Sequence, residues 1–179
     1  MTALLDELME HPLTEDDLDS VGRALDGTGI HYELDNGRLV LMSPMKGWHA
    51  DAARRLCNVL VAQGRPALQE QGVRLARRRV RFPDIAAFRQ WPDPDAGRHD
   101  PSDFTLVVEV ISDGSEHDDR VTKPDLYAAA EIPEYWIVDR HPDDRRDAVI
   151  EFFKLGQGAR YERIGEAVLT ELEAKYGTK

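Results

Sequence analysis

The chain has a single cysteine, Cys57, among its 179 residues. One cysteine permits no internal disulfide and excludes a cysteine-rich zinc site. The sequence also lacks any apolar run near the roughly 20 residues that a membrane-spanning helix needs. Its first residues are acidic (Asp6, Glu7 and Glu10) and do not have the pattern of a signal peptide. From these absences we expect a soluble cytoplasmic protein.

Basic residues are outnumbered. Lysine and arginine total 23 against 34 aspartate and glutamate residues, for a net charge of −11. Such a charge argues against broad electrostatic adhesion to nucleic acid or anionic membranes, although it leaves room for a local basic groove.

Internal repeats and low-complexity linkers are absent as well. The length and this absence predict a single domain over residues 1–179, with a core from about 30 to 165.

The most informative stretch runs from Phe104 to Ser112, where apolar residues surround one carboxylate, Glu109. The pattern predicts a short buried strand. Side chains alternate faces along a strand, so Glu109 would share a face with Val107 and Ile111. An isolated ionised carboxylate in such a place is costly unless it is neutralised, paired or bound to a metal. Glu109 is therefore expected to have a cationic companion.

The remaining patterns alternate between helix and strand. Asn36-Gly37 favours the positive φ angles of a type I′ turn and predicts a β-hairpin. We predict helices at about 14–26, 48–62, 121–131 and, weakly, 166–175, and strands at 31–34, 38–42, 73–75, 80–88, 104–112, 135–138, 148–154 and 160–164. This order indicates an α/β (α+β) domain with a mixed sheet flanked by helices.

Asp84 provides a possible partner for Glu109. Pro83-Asp84 falls within the predicted strand 80–88, and one loop joins that strand to the strand of Glu109. Adjacent antiparallel pairing is therefore expected, and the two carboxylates could converge. Close carboxylates repel unless a cation lies between them, and a few oxygen ligands suit Mg²⁺ or Mn²⁺. Lys123, early in the next predicted helix, is a third candidate.

The same residues carry a family resemblance. Its motifs, in chain order, are Tyr32-Glu33-Leu34-Asp35-Asn36-Gly37-Arg38-Leu39-Val40, Ser43-Pro44 with His49, Pro83-Asp84, Val108-Glu109-Val110-Ile111-Ser112, Lys123 with Tyr127, and Ile132-Pro133-Glu134-Tyr135-Trp136-Ile137-Val138-Asp139. Over roughly residues 32–161 the chain resembles the Uma group of restriction endonuclease-like proteins. That group belongs to the PD-(D/E)XK nuclease superfamily.

The resemblance implies a restriction-endonuclease-like mixed central β-sheet flanked by helices, and divalent-metal-dependent phosphodiester hydrolysis of DNA. Asp84 and Glu109 would be the metal ligands, with the Val110 carbonyl as a further ligand. The superfamily's usual lysine, two residues after the glutamate, is replaced here by Ile111, and Lys123 would substitute for it. Glu33 would bind a metal or a water. The family also usually has glycine at the position of Glu131.

Other functions stay open at this point. A non-catalytic or regulatory module on a nuclease scaffold would fit the acidic surface and the displaced lysine. A metal-dependent phosphoesterase for a small substrate would fit the net charge.

Several residues have more than one interpretation. For His49, packing or capping at the start of a helix is favoured over a role as a metal ligand. The basic run Arg77-Arg78-Arg79 would either contact phosphates or form an exposed face. The acidic run Asp113, Glu116, Asp118 and Asp119 is expected to be a solvated loop. Tyr135-Trp136 is expected in the core or at a subunit interface. An edge hairpin near Phe152-Phe153 would allow a homodimer.

Overall fold

The computed structural model of the chain describes residues 12–42, 45–112 and 114–177. Ser43-Pro44, Asp113 and the acidic N-terminal residues, to which some of the predictions refer, lie outside these ranges. Within them the helices are Leu18–Leu25 (α1), Gly47–Ala62 (α2), Lys123–Ala129 (α3) and Leu169–Tyr176 (α4). None of these described helices has both the length and the apolar character needed to cross a membrane.

The strands divide between two mixed sheets. They are His31–Asp35 (β1), Arg38–Met42 (β2), Ala67–Gln69 (β3), Gly72–Ala76 (β4), Arg79–Arg81 (β5), Ile85–Phe88 (β6), Arg98–His99 (β7), Phe104–Val110 (β8), Glu134–Arg140 (β9), Ala148–Leu155 (β10) and Tyr161–Val168 (β11). One sheet has the order β11-β10-β9-β8-β6-β3, and the other β2-β1-β5-β4-β7. The predicted α/β (α+β) architecture is confirmed, with its strands shared between two sheets.

Strand β8 lies inside the six-stranded sheet, parallel to β9 and antiparallel to β6. Leu106, Val108 and Val110 pack in a core cluster with residues of α2 and α4. Val107 packs on the opposite face, with Tyr127 and Tyr135. The alternation predicted from the sequence is confirmed. It places Glu109 on the α3 side of the sheet, where its carboxylate meets side chains of that helix.

The five-stranded sheet is covered by α1, whose Leu18, Val21 and Leu25 pack on Leu34 and Val80. Strands β1 and β2 form the predicted hairpin. At its turn Asn36 has a φ of 49° and Gly37 a φ of 80°, as a type I′ turn requires.

The prediction of one strand over residues 80–88 is wrong. Strand β5 ends at Arg81 and β6 begins at Ile85, and the two belong to different sheets. Pro83 lies at the break, where it cannot donate a ladder hydrogen bond. The expected antiparallel pairing with the Glu109 strand is confirmed for β6, in which Ile85 lies opposite Val108. Asp84 therefore lies where the chain crosses between the two sheets.

One further expectation needs correction, and another is confirmed. Residues 166–168 belong to β11, so α4 begins later than the predicted tail helix. Phe152 and Phe153 lie on β10, between β9 and β11, and their rings approach Trp136 and Tyr135. Together with the edge strand β11 they form the predicted hairpin at the edge of the sheet, and a homodimer through it stays a prediction. Tyr135 and Trp136 are core residues.

Candidate active site

A cleft of about 810 Å³ opens where β8 and β9 end. One wall comes from the start of α2, with Lys46, Trp48 and His49, and another from the segment 114–123 before α3. Asp84, Glu109 and Lys123, which the sequence analysis selected on separate elements, all line this cleft.

Glu109 is almost fully buried, with 2% of its surface exposed. Its Oε2 accepts a hydrogen bond from Lys123 Nζ at 2.8 Å, and its Oε1 accepts one from the Tyr127 hydroxyl at 2.8 Å. Burial raises the pKa of Glu109, and the Lys123 ammonium opposes that shift. Burial and the Glu109 charge also raise the pKa of Tyr127 well above its usual value, so Tyr127 keeps the proton that it donates.

Lys123 is held between two buried carboxylates. Besides Glu109, its Nζ lies 2.9 Å from Asp119 Oδ1, and Asp119 is 1% exposed. A π-helical segment, Asp118–Thr122, leads directly into α3 and brings Asp119 and Lys123 to the same side. Burial alone would lower the pKa of Lys123, but the neighbouring carboxylates outweigh it and raise that pKa well above the usual value. The lysine is therefore a permanent cation.

Asp119 is the residue that the sequence analysis placed wrongly, in a solvated loop. Its Oδ2 accepts a hydrogen bond from Ser115 Oγ at 2.6 Å, and its backbone carbonyl accepts one from the Tyr135 hydroxyl. The spacing of four residues to Lys123 was visible in the sequence. Burial of Asp119 depends on π-helical winding and on Tyr135 from a distant strand, which a local charge pattern does not reveal.

Asp84 approaches the same point from the crossing between the sheets. Its Oδ2 accepts a hydrogen bond from the Val110 amide at 2.6 Å, which ties Asp84 to the residue after Glu109. The same oxygen lies 3.3 Å from His49 Nε2. Oδ1 has no hydrogen-bond partner among the described residues, and 17% of the side chain is exposed towards the cleft.

His49 lies on α2 with 6% of its surface exposed and also hydrogen-bonds the Val110 backbone. Burial alone would lower the pKa of His49, but the hydrogen bond and charge of Asp84 outweigh it and raise the pKa. The sequence analysis favoured a packing role for this residue, and the structure adds an acidic partner in the cleft.

We expect His49 to titrate above its ordinary pKa of 6.5. A raised pKa in the folded state stabilises the fold below the unfolded-state pKa, and this contribution is lost as pH rises through the folded pKa. Asp84→Asn removes the charge that contributes most to raising the His49 pKa, so that pKa should fall. Histidine NMR titrations would measure both values, with His99, whose burial lowers its pKa, as the internal control. A His49 pKa unchanged by Asp84→Asn would contradict the pairing.

Glu33 is not among the described residues that line the cleft. It is 2% exposed on β1, where Oε2 accepts a hydrogen bond from Arg81 and Oε1 accepts one from the Phe82 amide at 3.2 Å. Its charge still contributes to the raised pKa of Lys123. The role in metal or water binding stays a prediction, and the observed contacts favour an indirect effect through Arg81.

The basic run 77–79 forms the turn between β4 and β5. Arg79 Nε donates to Asp35 Oδ1 at 2.8 Å, and its NH2 donates to Asn36. Arg77 and Arg78 are exposed, and none of the three is among the described residues that line the cleft. Contact of this run with phosphates at the cleft stays a prediction.

The oxygen groups of the cleft fit the hard cations Mg²⁺ and Mn²⁺. Asp84 Oδ1 is available, and each Glu109 oxygen keeps a second lone pair beyond the one that its donor uses. Val110, whose carbonyl is the further candidate ligand, lines the same cleft and hydrogen-bonds His49 through its backbone. Over residues 12–42, 45–112 and 114–177, no group of three His, Cys, Asp or Glu side chains could by itself hold a metal ion. Two carboxylates that share a cation with waters are what Mg²⁺ commonly accepts.

Comparisons with known proteins agree with the resemblance. The model of the Uma2 family, described as "Putative restriction endonuclease", matches residues 16–173. None of the curated proteins matches the chain.

A solved structure supports the fold. The chain is similar to a protein from Anabaena variabilis ATCC 29413 described as a putative nuclease belonging to DUF820. The two share 20% sequence identity over 88% of this chain and 84% of the other, with a TM-score of 0.54. The likeness shows a nuclease-like fold.

Proposed function

Because the chain belongs to the Uma2 family of restriction-endonuclease-like proteins, we propose that it is a Mg²⁺- or Mn²⁺-dependent endonuclease that hydrolyses phosphodiesters in DNA. The observation that carries the proposal is the meeting of Asp84, Glu109 and Lys123 in one cleft from three separate elements. Their separation in the chain makes this convergence informative, since local sequence alone would not bring them together.

Asp84 and Glu109 would hold the cation, assisted by the Val110 carbonyl. When bound, such a cation supplies a water of lowered pKa and offsets charge on the phosphate. The hydrogen bond from the Val110 amide orients Asp84, and the Tyr127 hydroxyl orients Glu109. These contacts keep both carboxylates in place before substrate arrives, which is the condition for effective electrostatic catalysis.

Lys123 would orient the attacking water and stabilise charge that develops on the phosphate. Two of its three N–H donors face Glu109 and Asp119. Lys123 also lines the cleft, and the positive charge of its ammonium suits a developing oxyanion. Asp119 would act as a positioning residue, because it holds Lys123 from the side opposite to Glu109.

One observation favours a second candidate, a phosphoesterase acting on a small substrate. Among the described residues of its lining, the cleft has three cationic side chains, Lys46, Lys123 and Arg140. Its carboxylates are twice as many, namely Glu70, Asp84, Glu109, Glu116, Asp119 and Asp139. A lining of this sign disfavours contact with a long run of DNA phosphates. Competition by mononucleotides against duplex DNA would separate the two substrates.

The proposed function is tested by incubating the protein with supercoiled plasmid and Mn²⁺, Mg²⁺ or EDTA, alongside calorimetric titration with Mn²⁺. We expect nicked or linear plasmid with either metal, none with EDTA, and a measurable heat of Mn²⁺ binding. Cleavage that persists in EDTA would contradict metal dependence. Absence of both Mn²⁺ binding and cleavage would favour the non-catalytic module.

A further inference from the structure

Arg140 lies at the end of β9, on the rim of the cleft that holds Asp84, Glu109 and Lys123. Its guanidinium carbon is 4.6 Å from the centroid of the Trp48 ring. Trp48 itself packs against the core cluster that contains Val138. The arginine is therefore stacked on an aromatic ring that the core holds in place.

The Arg140 backbone is also fixed. Its amide donates to Asp139 Oδ1 at 2.7 Å, and the residue pairs with Ala148 in the β9–β10 ladder. The other Asp139 oxygen, Oδ2, accepts a hydrogen bond from Arg120 at 3.1 Å. The neighbouring acid is thus occupied by another arginine. Among the residues described, none forms a salt bridge or a side-chain hydrogen bond with the Arg140 guanidinium.

This arrangement leaves the Arg140 donors free for an anion. A contact with a ring uses none of the five N–H donors of a guanidinium as a conventional hydrogen bond, and those donors lie in the guanidinium plane. A planar fork of this kind matches two oxygens of a phosphate. Lys123, by contrast, is already bound between Glu109 and Asp119. Arg140 is thus a rim cation with no carboxylate of the described chain opposing it.

We propose that Arg140, stacked on Trp48, forms a phosphate-binding subsite that anchors a substrate phosphate beside the scissile one. The identification of that phosphate as part of a nucleic acid rests on the proposed nuclease function. The subsite offers one strong phosphate contact in a cleft that is otherwise acidic. It therefore favours a substrate that is bound through one or two phosphates over a duplex that is bound through many phosphates.

The first test uses inorganic pyrophosphate without metal, followed by tryptophan fluorescence, since the anion would bind above Trp48. Arg140→Ala should weaken binding by about 10- to 100-fold, the range for loss of a charge-assisted contact. Arg140→Lys should be intermediate, because it keeps the charge but not the planar fork. Arg160→Ala, which changes an exposed arginine in the loop between β10 and β11, is the matched control and should bind like wild type.

The second test measures binding of a single-stranded oligonucleotide at several salt concentrations. Arg140→Ala should reduce the slope of log K against log salt by about one phosphate equivalent, a change of roughly 0.7. Circular dichroism of each variant verifies the fold. The subsite is overturned if wild type does not bind pyrophosphate, or if Arg140→Ala binds both probes as wild type does.

The outcomes also separate the subsite from the proposed function. Pyrophosphate binding that depends on Arg140, without any metal-dependent cleavage, would support the phosphate-binding subsite and contradict the proposed nuclease activity. Metal-dependent cleavage whose KM is unchanged in Arg140→Ala would keep the nuclease and refute the subsite.

Discussion

Replacing Lys123 with alanine should lower the free energy of unfolding by about 3–5 kcal/mol. The substitution leaves two carboxylates, Glu109 and Asp119, buried at 2% and 1% exposure without their shared cation. Removal of one partner from a buried ion pair costs far more than the pair contributes, since the remaining charge is not solvated. Chemical denaturation by urea, followed by circular dichroism, would measure the loss.

The same variant should show a characteristic pH dependence. Without Lys123, Glu109 is expected to take up a proton, because the opposing positive charge is gone and burial raises its pKa. A folded-state pKa above the unfolded value stabilises the fold at low pH, and the benefit disappears as pH rises. The difference in the free energy of unfolding between wild type and the variant should therefore be larger at pH 8 than at pH 5.

Two controls make the result specific. Lys154→Ala, on an exposed position of β10, should change the free energy of unfolding by less than about 0.5 kcal/mol. The triple substitution Lys123→Met, Glu109→Gln and Asp119→Asn removes all three buried charges and should recover much of the loss, as neutral replacements of buried ion pairs often do. A loss below about 1 kcal/mol in Lys123→Ala would show that the ammonium is not the structural counterion of these carboxylates.

Asp84→Asn should reduce metal-dependent cleavage by about 10²–10³-fold, the range for loss of one key electrostatic group. Asparagine is isosteric and still offers an oxygen to the Val110 amide, so the crossing between the sheets should keep its shape. What it loses is the negative charge that would hold the cation. Initial rates of plasmid nicking with saturating Mn²⁺, together with Mn²⁺ affinity by calorimetry, would measure both effects.

Glu116→Gln is the matched control for Asp84→Asn. Glu116 also lines the cleft, but its side chain is 71% exposed and its ion pair with Arg120 is 3.7 Å long. Its neutralisation should change the cleavage rate by no more than about twofold, since exposed pairs contribute little. Equal rates for wild type and Asp84→Asn would refute the assignment of Asp84 as a metal ligand, whatever the control does.

The acidic cleft and the nuclease family are compatible on physical grounds. An excess of carboxylates favours the binding of divalent cations, and bound cations would offset part of that negative charge. Under the proposals above, two cations would contact a phosphate, Lys123 inside the cleft and Arg140 at its rim. The net charge of −11 therefore limits the number of phosphates that the protein can contact. It does not exclude hydrolysis of a single phosphodiester.

Local sequence was sufficient where the physical cause is local. Asn36-Gly37 specified a hairpin because both residues tolerate positive φ, and the structure shows both angles. Strict alternation along β8 assigned Glu109 to one face, because successive side chains of a strand must point in opposite directions. Glu131 has a φ of 59° just beyond α3, a conformation that glycine adopts at less cost, in agreement with the glycine that the resemblance implies at this position.

Tertiary structure decided everything that depends on where distant segments meet. Pro83 interrupts the ladder, but only the assembled sheets place Asp84 against the Val110 amide and His49. The burial of Asp119, the pairing of Glu33 with Arg81 and the stacking of Arg140 on Trp48 all join residues from separate elements. Their energies come from desolvation and from contact geometry, which arise when those elements pack. The sequence thus determined which side chains were candidates for the site, and packing determined which of them face the cleft.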